Sequence, residues 1–362
     1  MKIALIEPFF TGSHKSWAES LQKYSQHEVK IFSLPGRHWK WRMNGGAVTL
    51  AHEFLRSDFL PDLILATDML DFATFLGLVG KKYSQVPTAI YFHENQLTYP
   101  WSEHDRDKKK QTHLLYGFIN YTSCLVADNV FFNSHYHHSC FMEALPKMLK
   151  GFPDYQNLDS IKAIKNKSVV LPLGLNLPDQ VQPKLNQSKI PTLLWNHRWE
   201  YDKNPAEFFN VLYRLKEEKI QFKLILLGES YSSIPGIFKE AQIKLKNEII
   251  HMGYADRETY ENLLQKCDIL PVTSIHDFFG ASVVEAIAHG VYPLLPNRLA
   301  YPEHLPSTLR ENHLYNSSDQ LYKKLKRLCE SVPSRKSELI ENVKKYDWKN
   351  IISLYDKAFS KI

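Results

Sequence analysis

The sequence has few cysteines, no long apolar run and no cleavage signal, and each absence excludes a class of protein. The four cysteines are far apart and show neither a disulfide framework nor a zinc-ligand spacing: Cys124, Cys140, Cys267 and Cys329. No stretch approaches the ~20 apolar residues of a membrane span, and MKIALIEPFF begins a strand at once. We therefore expect a reduced cytoplasmic protein without a signal peptide or a membrane partner.

The sequence also lacks a dehydrogenase fingerprint and a strongly basic arm. The first predicted strand is followed by EPFFTGSHKS, which has one glycine instead of G-x-G-x-x-G. The formal net charge of +6 is modest for 362 residues, so basic character is confined to local clusters. RHWKWR contains Arg37, Trp39, Lys40, Trp41 and Arg42, and RDKKK contains Lys108, Lys109 and Lys110. Both clusters are predicted to lie on loops, which either contact phosphates and stacked bases or are simply solvated.

Short apolar runs alternate with amphipathic segments along the whole chain, and this is typical of α/β folds. KIALIE, VKIFSL, DLILAT, TAIYF and NVFF form a first series. TLLWNH, KLILLG, IIHMG, DILPV and YPLLP form a second series after the polar segment 178–191. The alternation predicts two Rossmann-like domains, 1–180 and 187–344, each with a parallel sheet. Their ligand site is expected in a cleft at the carboxyl ends of the strands, and segment 345–362 is predicted as a final amphipathic helix.

The segment 274–302 places two acidic residues around a predicted strand-to-helix turn. Apolar residues at helical spacing run from Gly280 until Gly290, directly after a buried strand. The start of such a helix offers backbone N–H groups, and Gly280 allows the close approach of a pyrophosphate. Asp277 and Glu285 then lie within reach of a ligand whose sugar hydroxyls they can bind. Alternatively, Asp277 caps the helix and Glu285 is a solvated helix residue.

Two cations follow the first predicted strand of the second domain, in WNHRWEYDKNP. Arg198 and Lys203 lie in this loop. Fixed cations stabilise the negative charge that develops when a sugar–phosphate bond breaks, although both residues are also compatible with an ordinary surface.

Polar residues also follow two predicted strands of the first domain. His93, Glu94, Asn95 and Gln96 come after TAIYF, where His93 is either a ligand contact or a core histidine bonded to the backbone. In FFTGSHKS, Ser13 is expected to cap a helix, Gly12 to allow close approach and His14 to lie in the first turn. A ligand site and a mere helix cap are both compatible with that turn. FFNSHYHHSC has His135, His137 and His138 but no further ligand, so we expect no metal there.

Two acids eight positions apart around a Phe-Gly turn resemble the signature of retaining GT-B glycosyltransferases of the glycogen synthase-like type. In this sequence Asp277 stands where that family usually has Glu. The resemblance implies that Asp277 contacts the transferred sugar, that Glu285 holds the ribose and that His93 orients the sugar. It also implies that Arg198 and Lys203 hold the diphosphate. The complete set of implied donor contacts is Gly12, Ser13, Arg198, Lys203, Tyr254, Phe279, Gly280, Ala281 and Glu285.

A closer resemblance extends over nearly the whole chain. IEPFFTGSHK, SLPGRHWKWR, YFHENQLTYP, SCLVADNVFFNS and HDFFGASVVEAIAHGVYPLLPNRLAYPE are similar to the tRNA-queuosine alpha-mannosyltransferase group. This resemblance implies that mannose passes from GDP-mannose to the queuosine cyclopentenediol at the wobble position of tRNA-Asp, with retention and without a metal or another cofactor. It also implies that segment 345–362 packs back on the first domain. The expected acceptor contacts are His14, Arg37, Trp39, Lys40, Trp41, Arg42, Glu94, Asn95, Gln96, Lys108, Lys109 and Lys110.

Two alternatives remain open at this point. One is another GT-B transferase with a lipid or glycan acceptor, and the other is an RNA-binding protein with a vestigial donor site.

Overall fold

The computed structural model describes residues 1–102, 105–109, 113–181, 190–228 and 234–362, and these form two compact units. Unit 1 comprises Met1–Asn176 together with Tyr346–Ile362, and unit 2 comprises Leu177–Lys345. Most of the expected linker 178–191 lies outside the described residues. Among the described residues, no helix combines the length and apolar character needed to cross a membrane.

Unit 1 is built on a six-stranded parallel sheet with the order β2-β1-β3-β4-β5-β6. The strands are β1 (Lys2–Phe10), β2 (Glu28–Pro35), β3 (Leu63–Thr67), β4 (Thr88–Phe92), β5 (Asn129–Phe132) and β6 (Ser168–Val170). The helices are α1 (Gly12–Tyr24), α2 (Trp39–Leu55), α3 (Phe72–Val79), α4 (Arg106–Lys109), α5 (Leu114–Val126), α6 (His135–Leu149) and α7 (Ser160–Asn166), with a 3₁₀ helix at Gly80–Tyr83. Strands β3 and β4 are buried along their whole length, as expected for a parallel sheet that is covered on both faces.

Unit 2 repeats this plan with the strand order β12-β11-β10-β7-β8-β9. Its strands are β7 (Thr192–Asn196), β8 (Lys223–Leu227), β9 (Ile249–Gly253), β10 (Ile269–Pro271), β11 (Tyr292–Pro296) and β12 (Leu314–Tyr315). Its helices are α8 (Pro205–Glu217), α9 (Gly236–Lys244), α10 (Arg257–Lys266), α11 (Ala281–Ala288), α12 (Arg310–His313), α13 (Ser318–Glu330) and α14 (Ser337–Val343). Short 3₁₀ helices lie at Tyr201–Lys203, Tyr301–His304 and Ser307–Leu309, and another, Lys344–Tyr346, joins the units.

Each sheet reverses its direction of growth at one place. In unit 1 the reversal lies between β1 and β3, and in unit 2 it lies between β7 and β10. The carboxyl ends of the strands at such a switch point leave a crevice, because the connections on either side lead away from it. The loops after these strands are therefore where a ligand site is expected in each unit.

The last helix, α15 (Trp348–Phe359), belongs to unit 1 although it follows unit 2 in sequence. The hydroxyl of Tyr355 accepts a hydrogen bond from the Trp17 indole at 3.1 Å and donates to the Pro172 carbonyl at 2.8 Å. Ser25 donates to Asp356 at 2.5 Å. These polar contacts fix α15 against α1 and the sheet edge.

Two loop predictions are wrong. Trp39 to Arg42 form the first turn of α2, and Arg106–Lys109 form the short helix α4. Helix α2 extends back to Trp39 because that indole packs against Trp101 and Tyr116, with ring centroids 5.5 and 5.3 Å apart. Burial of an aromatic side chain here outweighs the polar character of the segment.

Candidate active site

Lys203 is a buried cation of unit 2. It ends the 3₁₀ turn after β7 and is only 7% exposed, because the loop folds against the segment after β10. Its ammonium lies 3.0 Å from Asp202, 3.3 Å from Asp277, and donates to the His276 carbonyl at 2.9 Å. Burial alone would lower the pKa of Lys203, but Asp277 and Asp202 outweigh burial and raise it. Lys203 is therefore not an ordinary surface lysine.

Asp277 is held in the ionised form beside this cation. Its second carboxylate oxygen accepts a hydrogen bond from the Tyr301 hydroxyl at 2.6 Å. Burial alone would raise the pKa of Asp277, but Lys203, with smaller contributions from His197 and the Tyr301 hydrogen bond, holds it below the ordinary value. The alternative of a helix cap is wrong, since the cap position of α11 is occupied by Gly280.

The start of α11 is shaped by Gly280 and by tethers to β7. Gly280 has a left-handed φ of 85°, and a Cβ there would lie 2.9 Å from the Tyr301 ring, so another residue would be strained. Asn196 at the end of β7 donates to the Ser282 carbonyl at 2.8 Å, and the Ser282 hydroxyl lies 3.1 Å from His197 Nδ1. His304 donates to the Phe279 carbonyl at 2.6 Å. These bonds fix the position of the helix start at the switch point.

Glu285 is part of a hydrogen-bond network rather than a solvated helix residue. One carboxylate oxygen lies 2.6 Å from an Arg257 nitrogen, and the other accepts from the Tyr260 hydroxyl at 3.2 Å. The same hydroxyl accepts from Asn196 at 3.2 Å. Arg257 and Tyr260 were not predicted as site residues. The available signal was Asp256, which caps α10 through Thr259 and so places Arg257 at the helix start.

The other predicted donor contacts of unit 2 differ in exposure. The Arg198 side chain is 45% exposed, and its guanidinium lies 3.3 Å from the Glu200 carboxylate. Tyr254 is 72% exposed. The Phe279 side chain is buried and contacts the His304 ring at 5.0 Å, and Ala281 begins α11. The structure thus groups Lys203, Asp277, the α11 start and Glu285 around the loops after β7 and β10.

His93 lies at the corresponding place in unit 1, directly after β4. Its backbone N–H donates to Asp68 at 2.7 Å, and its carbonyl accepts from Asn133 at 2.9 Å. Its ring is buried, yet its Nε2 has no hydrogen-bond partner among the described residues. The alternative was a core histidine with a ring nitrogen bonded to the backbone. Nε2 makes no such bond within the described residues.

His14 pairs with a carboxylate that was not predicted. Its Nδ1 lies 3.2 Å from Oε2 of Glu7, which is fully buried in β1. Burial alone would lower the pKa of His14, but Glu7 raises it to about 9. The signal for Glu7 was an acid inside an otherwise apolar strand, because a buried carboxylate needs a partner.

Two further donor predictions lie at the start of α1. The prediction that Ser13 caps the helix is wrong, because Thr11 occupies the cap position and Ser13 lies inside α1. The helix begins two residues earlier than a Ser13 cap would give, at Gly12, which has a left-handed φ of 50°. A Cβ built on Gly12 meets no described atom within 4 Å, so this turn is open to close approach.

The loop after His93 is stabilised by its own polar side chains. Asn95 is fully buried, and its amide oxygen accepts from the backbone N–H groups of Leu97 and Thr98, both at 3.0 Å. Gln96 donates to Glu94 at 2.8 Å. In this structure Asn95 and Gln96 support the loop, and their contact with an acceptor stays a prediction.

The basic cluster at the start of α2 divides into internal and exposed members. Trp39 packs in the aromatic cluster described above, and Lys40 lies 2.8 Å from Asp105 and 2.7 Å from Asp107. Arg42 donates to the Pro35 carbonyl at 3.2 Å. By contrast, Trp41 is 63% exposed.

The remaining predicted cations continue this surface. Arg37 and Lys109 are exposed, and Lys108 donates to the Trp101 carbonyl at 3.4 Å. Lys110 lies outside the described residues. The Lys40 ion pairs therefore join α4 to the start of α2 and place both basic clusters on one side of unit 1.

One group of metal-capable side chains lies together within the described parts of the chain. Glu7, His14 and His93 each offer a ligand atom within 4.8 Å of the others. The direct bond between His14 Nδ1 and Glu7 leaves no room for an ion between these atoms. The two rings stack at 4.2 Å with their planes 36° apart, whereas metal ligands aim their lone pairs at a common point. The contacts favour an ion pair with a stacked imidazole.

The fold and this site define a class of protein, and comparison with known families agrees. Residues 178–346 match the family described as glycosyl transferases group 1, so the chain is a glycosyltransferase with the GT-B fold. Residues 2–175 match the family described as tRNA-queuosine alpha-mannosyltransferase N-terminal. The chain belongs to the tRNA-queuosine alpha-mannosyltransferase family. The predicted fold, enzyme class and family are thereby confirmed.

Individual relatives agree with this assignment. The tRNA-queuosine alpha-mannosyltransferase of Drosophila melanogaster is 34% identical, over 99% of this chain and 96% of the relative. A GDP-mannose:cellobiosyl-diphosphopolyprenol alpha-mannosyltransferase of Xanthomonas oryzae is 23% identical over 45% of each chain. Among solved structures, Anabaena HepE with UDP and glucose is 15% identical with a TM-score of 0.68, and sucrose-phosphate synthase from Thermosynechococcus elongatus is 14% identical with a TM-score of 0.72. Both cover the whole of each chain and show the fold alone.

Proposed function

We propose that the enzyme transfers mannose from GDP-mannose to a hydroxyl of the queuosine cyclopentenediol at the wobble position of tRNA-Asp. The observation that carries this proposal is the similarity to the Drosophila tRNA-queuosine alpha-mannosyltransferase, which extends over 99% of this chain. A GDP-linked donor is supported by the Xanthomonas relative, whose name specifies GDP-mannose. A tRNA acceptor also fits the cytoplasmic location expected from the sequence.

The diphosphate of the donor is held by the cations after β7. The Lys203 ammonium is fixed by three neighbouring oxygens, and Arg198 adds a second cation at the surface of the same loop. Negative charge grows on the leaving GDP as the sugar–phosphate bond breaks. Cations that are already in place stabilise this charge without reorganisation.

The sugar and the ribose are held by the two acids around α11. Asp277 is ionised at neutral pH, because Lys203 and Tyr301 keep its pKa low, and it accepts hydrogen bonds from sugar hydroxyls. Arg257 and Tyr260 orient the Glu285 carboxylate, which retains lone pairs for ribose hydroxyls. The start of α11 adds backbone N–H groups for the phosphates.

The reaction is a substitution on one face of the sugar, with retention and without a metal. The acceptor hydroxyl oxygen bonds to the anomeric carbon, and the bond from that carbon to the diphosphate oxygen breaks on the same face. The hydroxyl proton passes to the departing diphosphate oxygen, and GDP leaves with the electron pair. No side chain is an obligatory nucleophile, so the protein acts through position and charge.

The acceptor surface includes the exposed residues at the start of α2. Trp41 and Arg37 are exposed, whereas Trp39 and Lys40 are engaged within unit 1. An exposed indole stacks on a nucleobase, and an exposed guanidinium pairs with a phosphate. Trp41 and Arg37 are therefore the strongest of the predicted tRNA contacts.

Incubation of the purified enzyme with GDP-mannose and bulk tRNA tests the proposal. After digestion to nucleosides, mass spectrometry should show queuosine from tRNA-Asp gaining one hexose, with or without a chelator. A UDP-hexose donor, or tRNA without queuosine, should give no product. Hexose on lipid or glycan extracts would favour another acceptor, and tRNA binding without turnover would favour an RNA-binding protein with a vestigial donor site. Either outcome contradicts the proposal.

A further inference from the structure

Glu7 is a fully buried carboxylate that the proposed donor and acceptor contacts do not use. One of its oxygens accepts from the Phe9 backbone N–H at 2.8 Å, and the other lies 3.2 Å from His14 Nδ1. A buried carboxylate without a partner is costly, and breaking a buried pair is strongly destabilising. Glu7 and His14 therefore form an ion pair that persists when no ligand is bound.

The His93 ring packs against this ion pair. The His14 and His93 rings stack with centroids 4.2 Å apart. The rings of Trp17 and Tyr91 meet His93 edge-on, each at 4.9 Å. His93 is thus fixed by three aromatic neighbours, while its Nε2 has no hydrogen-bond partner within the described residues.

Electrostatics divides the stack into one charged and one neutral ring. The titratable groups that act on it are Glu7, Asp68, Glu94 and His137. Burial alone would lower the pKa of His14, but Glu7 foremost, followed by Asp68 and Glu94, raises it to about 9. Burial also raises the pKa of Asp68 itself to about 8. Burial, followed by the charges of His14 and His137, lowers the pKa of His93 well below 6.5. At neutral pH His14 is an imidazolium and His93 is a neutral imidazole.

We propose that Glu7 is a positioning residue, which holds His14 as a charged ring against which the buried, neutral His93 is stacked and correctly oriented to bind a hydroxyl of the sugar substrate. This inference rests on the proposed function, in which His93 contacts the transferred sugar. A neutral imidazole both donates and accepts a hydrogen bond, whereas an imidazolium only donates. A ring that is already fixed also loses little entropy when the substrate binds.

Histidine-ring NMR titration of the full chain tests the charge arrangement without any substrate. We expect His14, assigned with the His14→Asn variant, to titrate near 9 in the wild type. In Glu7→Gln its pKa should fall to its ordinary value of 6.5 or below, because burial remains and the main counter-charge is lost. Glu19→Gln is the matched control. Glu19 lies on α1, the helix that contains His14, and pairs with Lys15 at 3.7 Å at the surface. Its His14 should titrate as in the wild type.

Two results would overturn the assignment. A wild-type His14 that titrates below about 7.5, which is well under the expected value of about 9 and within about a unit of the ordinary 6.5, would do so whether or not Glu7→Gln folds. A tightly bound metal ion that is lost in Glu7→Gln would also contradict the ion pair.

The pH profile of kcat/KM separates positioning from a merely structural role. We expect the ratio of wild-type to Glu7→Gln activity to rise at least about tenfold between pH 6 and 8.5, because His14 loses its proton in the variant but not in the wild type. A constant ratio at all pH values would show that Glu7 acts only on folding. If the wild type transfers no hexose at all, the proposed function fails, and the NMR titration still decides the Glu7–His14 assignment.

Discussion

Replacing Lys203 by methionine removes the ammonium that lies 3.0 Å from Asp202 and 3.3 Å from Asp277. After the substitution Asp202 stays buried, and Asp277 retains the Tyr301 hydroxyl. Removing one partner of a buried ion pair costs about 3–5 kcal/mol of unfolding free energy. We therefore expect Lys203→Met to lose stability as well as activity.

The loss of activity has a separate cause. The same ammonium is proposed to stabilise the leaving diphosphate, an effect of about 2–4 kcal/mol, or about 30- to 900-fold in kcat/KM. Arg198 is 45% exposed by its side chain, so Arg198→Ala should lose rate while its stability changes by less than about 0.5 kcal/mol. The control Lys216→Met breaks a surface pair with Glu248 at 3.0 Å, and should lose at most about 1 kcal/mol of stability and no activity.

Urea unfolding and the hexose-transfer assay measure both effects. The double variant Lys203→Met with Asp277→Asn removes both charges, so it should recover part of the lost stability without recovering activity. The reasoning is refuted if Lys203→Met is as stable as Lys216→Met, or if the double variant regains transfer.

Three further predictions use single changes. Asp277→Asn should impair transfer with GDP affinity nearly unchanged, whereas Glu285→Ala should weaken GDP binding in calorimetry; equal falls in Tm without a difference in binding would contradict these roles. Trp41→Ala should weaken tRNA binding by about 1–3 kcal/mol, the value of one stacked base, at unchanged Tm, and an unaltered affinity would exclude stacking. Folding raises the pKa of His14 from 6.5 to about 9. The charged His14 therefore contributes its full stabilisation of the folded state below pH 6.5. About 3 kcal/mol of this contribution should be lost as the pH rises from 6.5 through 9. Urea unfolding should therefore show a larger fall in stability for the wild type than for Glu7→Gln over this range, in which Asp68 titrates in both.

The sheets were predictable because their strands are buried on both faces. TAIYF in β4 and TLLWN in β7 have every residue buried, and such strands read as short apolar runs in the sequence. Helix α11 was also predictable, because Gly280 and Gly290, both with positive φ, lie on either side of it. Each of these elements depends on the burial and local conformation of its own residues, so each can be predicted from its own stretch of sequence.

The start of α2 could not be predicted in the same way. Its first turn is polar and aromatic, and its helical state depends on the contact of Trp39 with Trp101 and Tyr116. These partners are more than 60 positions away in sequence. Tertiary packing outweighs local propensity here, and a single sequence does not show which residues meet.

Two acidic site residues that the sequence analysis did not predict share a physical property. Asp202 and Glu7 are buried acids, each beside a buried cation, at the switch points of unit 2 and unit 1. A buried ion pair is often no more stable than a well-packed apolar pair, because two charges lose their hydration. Stability alone therefore does not account for Lys203 with its two acids, or for Glu7 with His14. Both arrangements keep a charge fixed in the position where the proposed function needs it, and this agrees with the roles proposed for Lys203 with Asp277 and for Glu7 with His14.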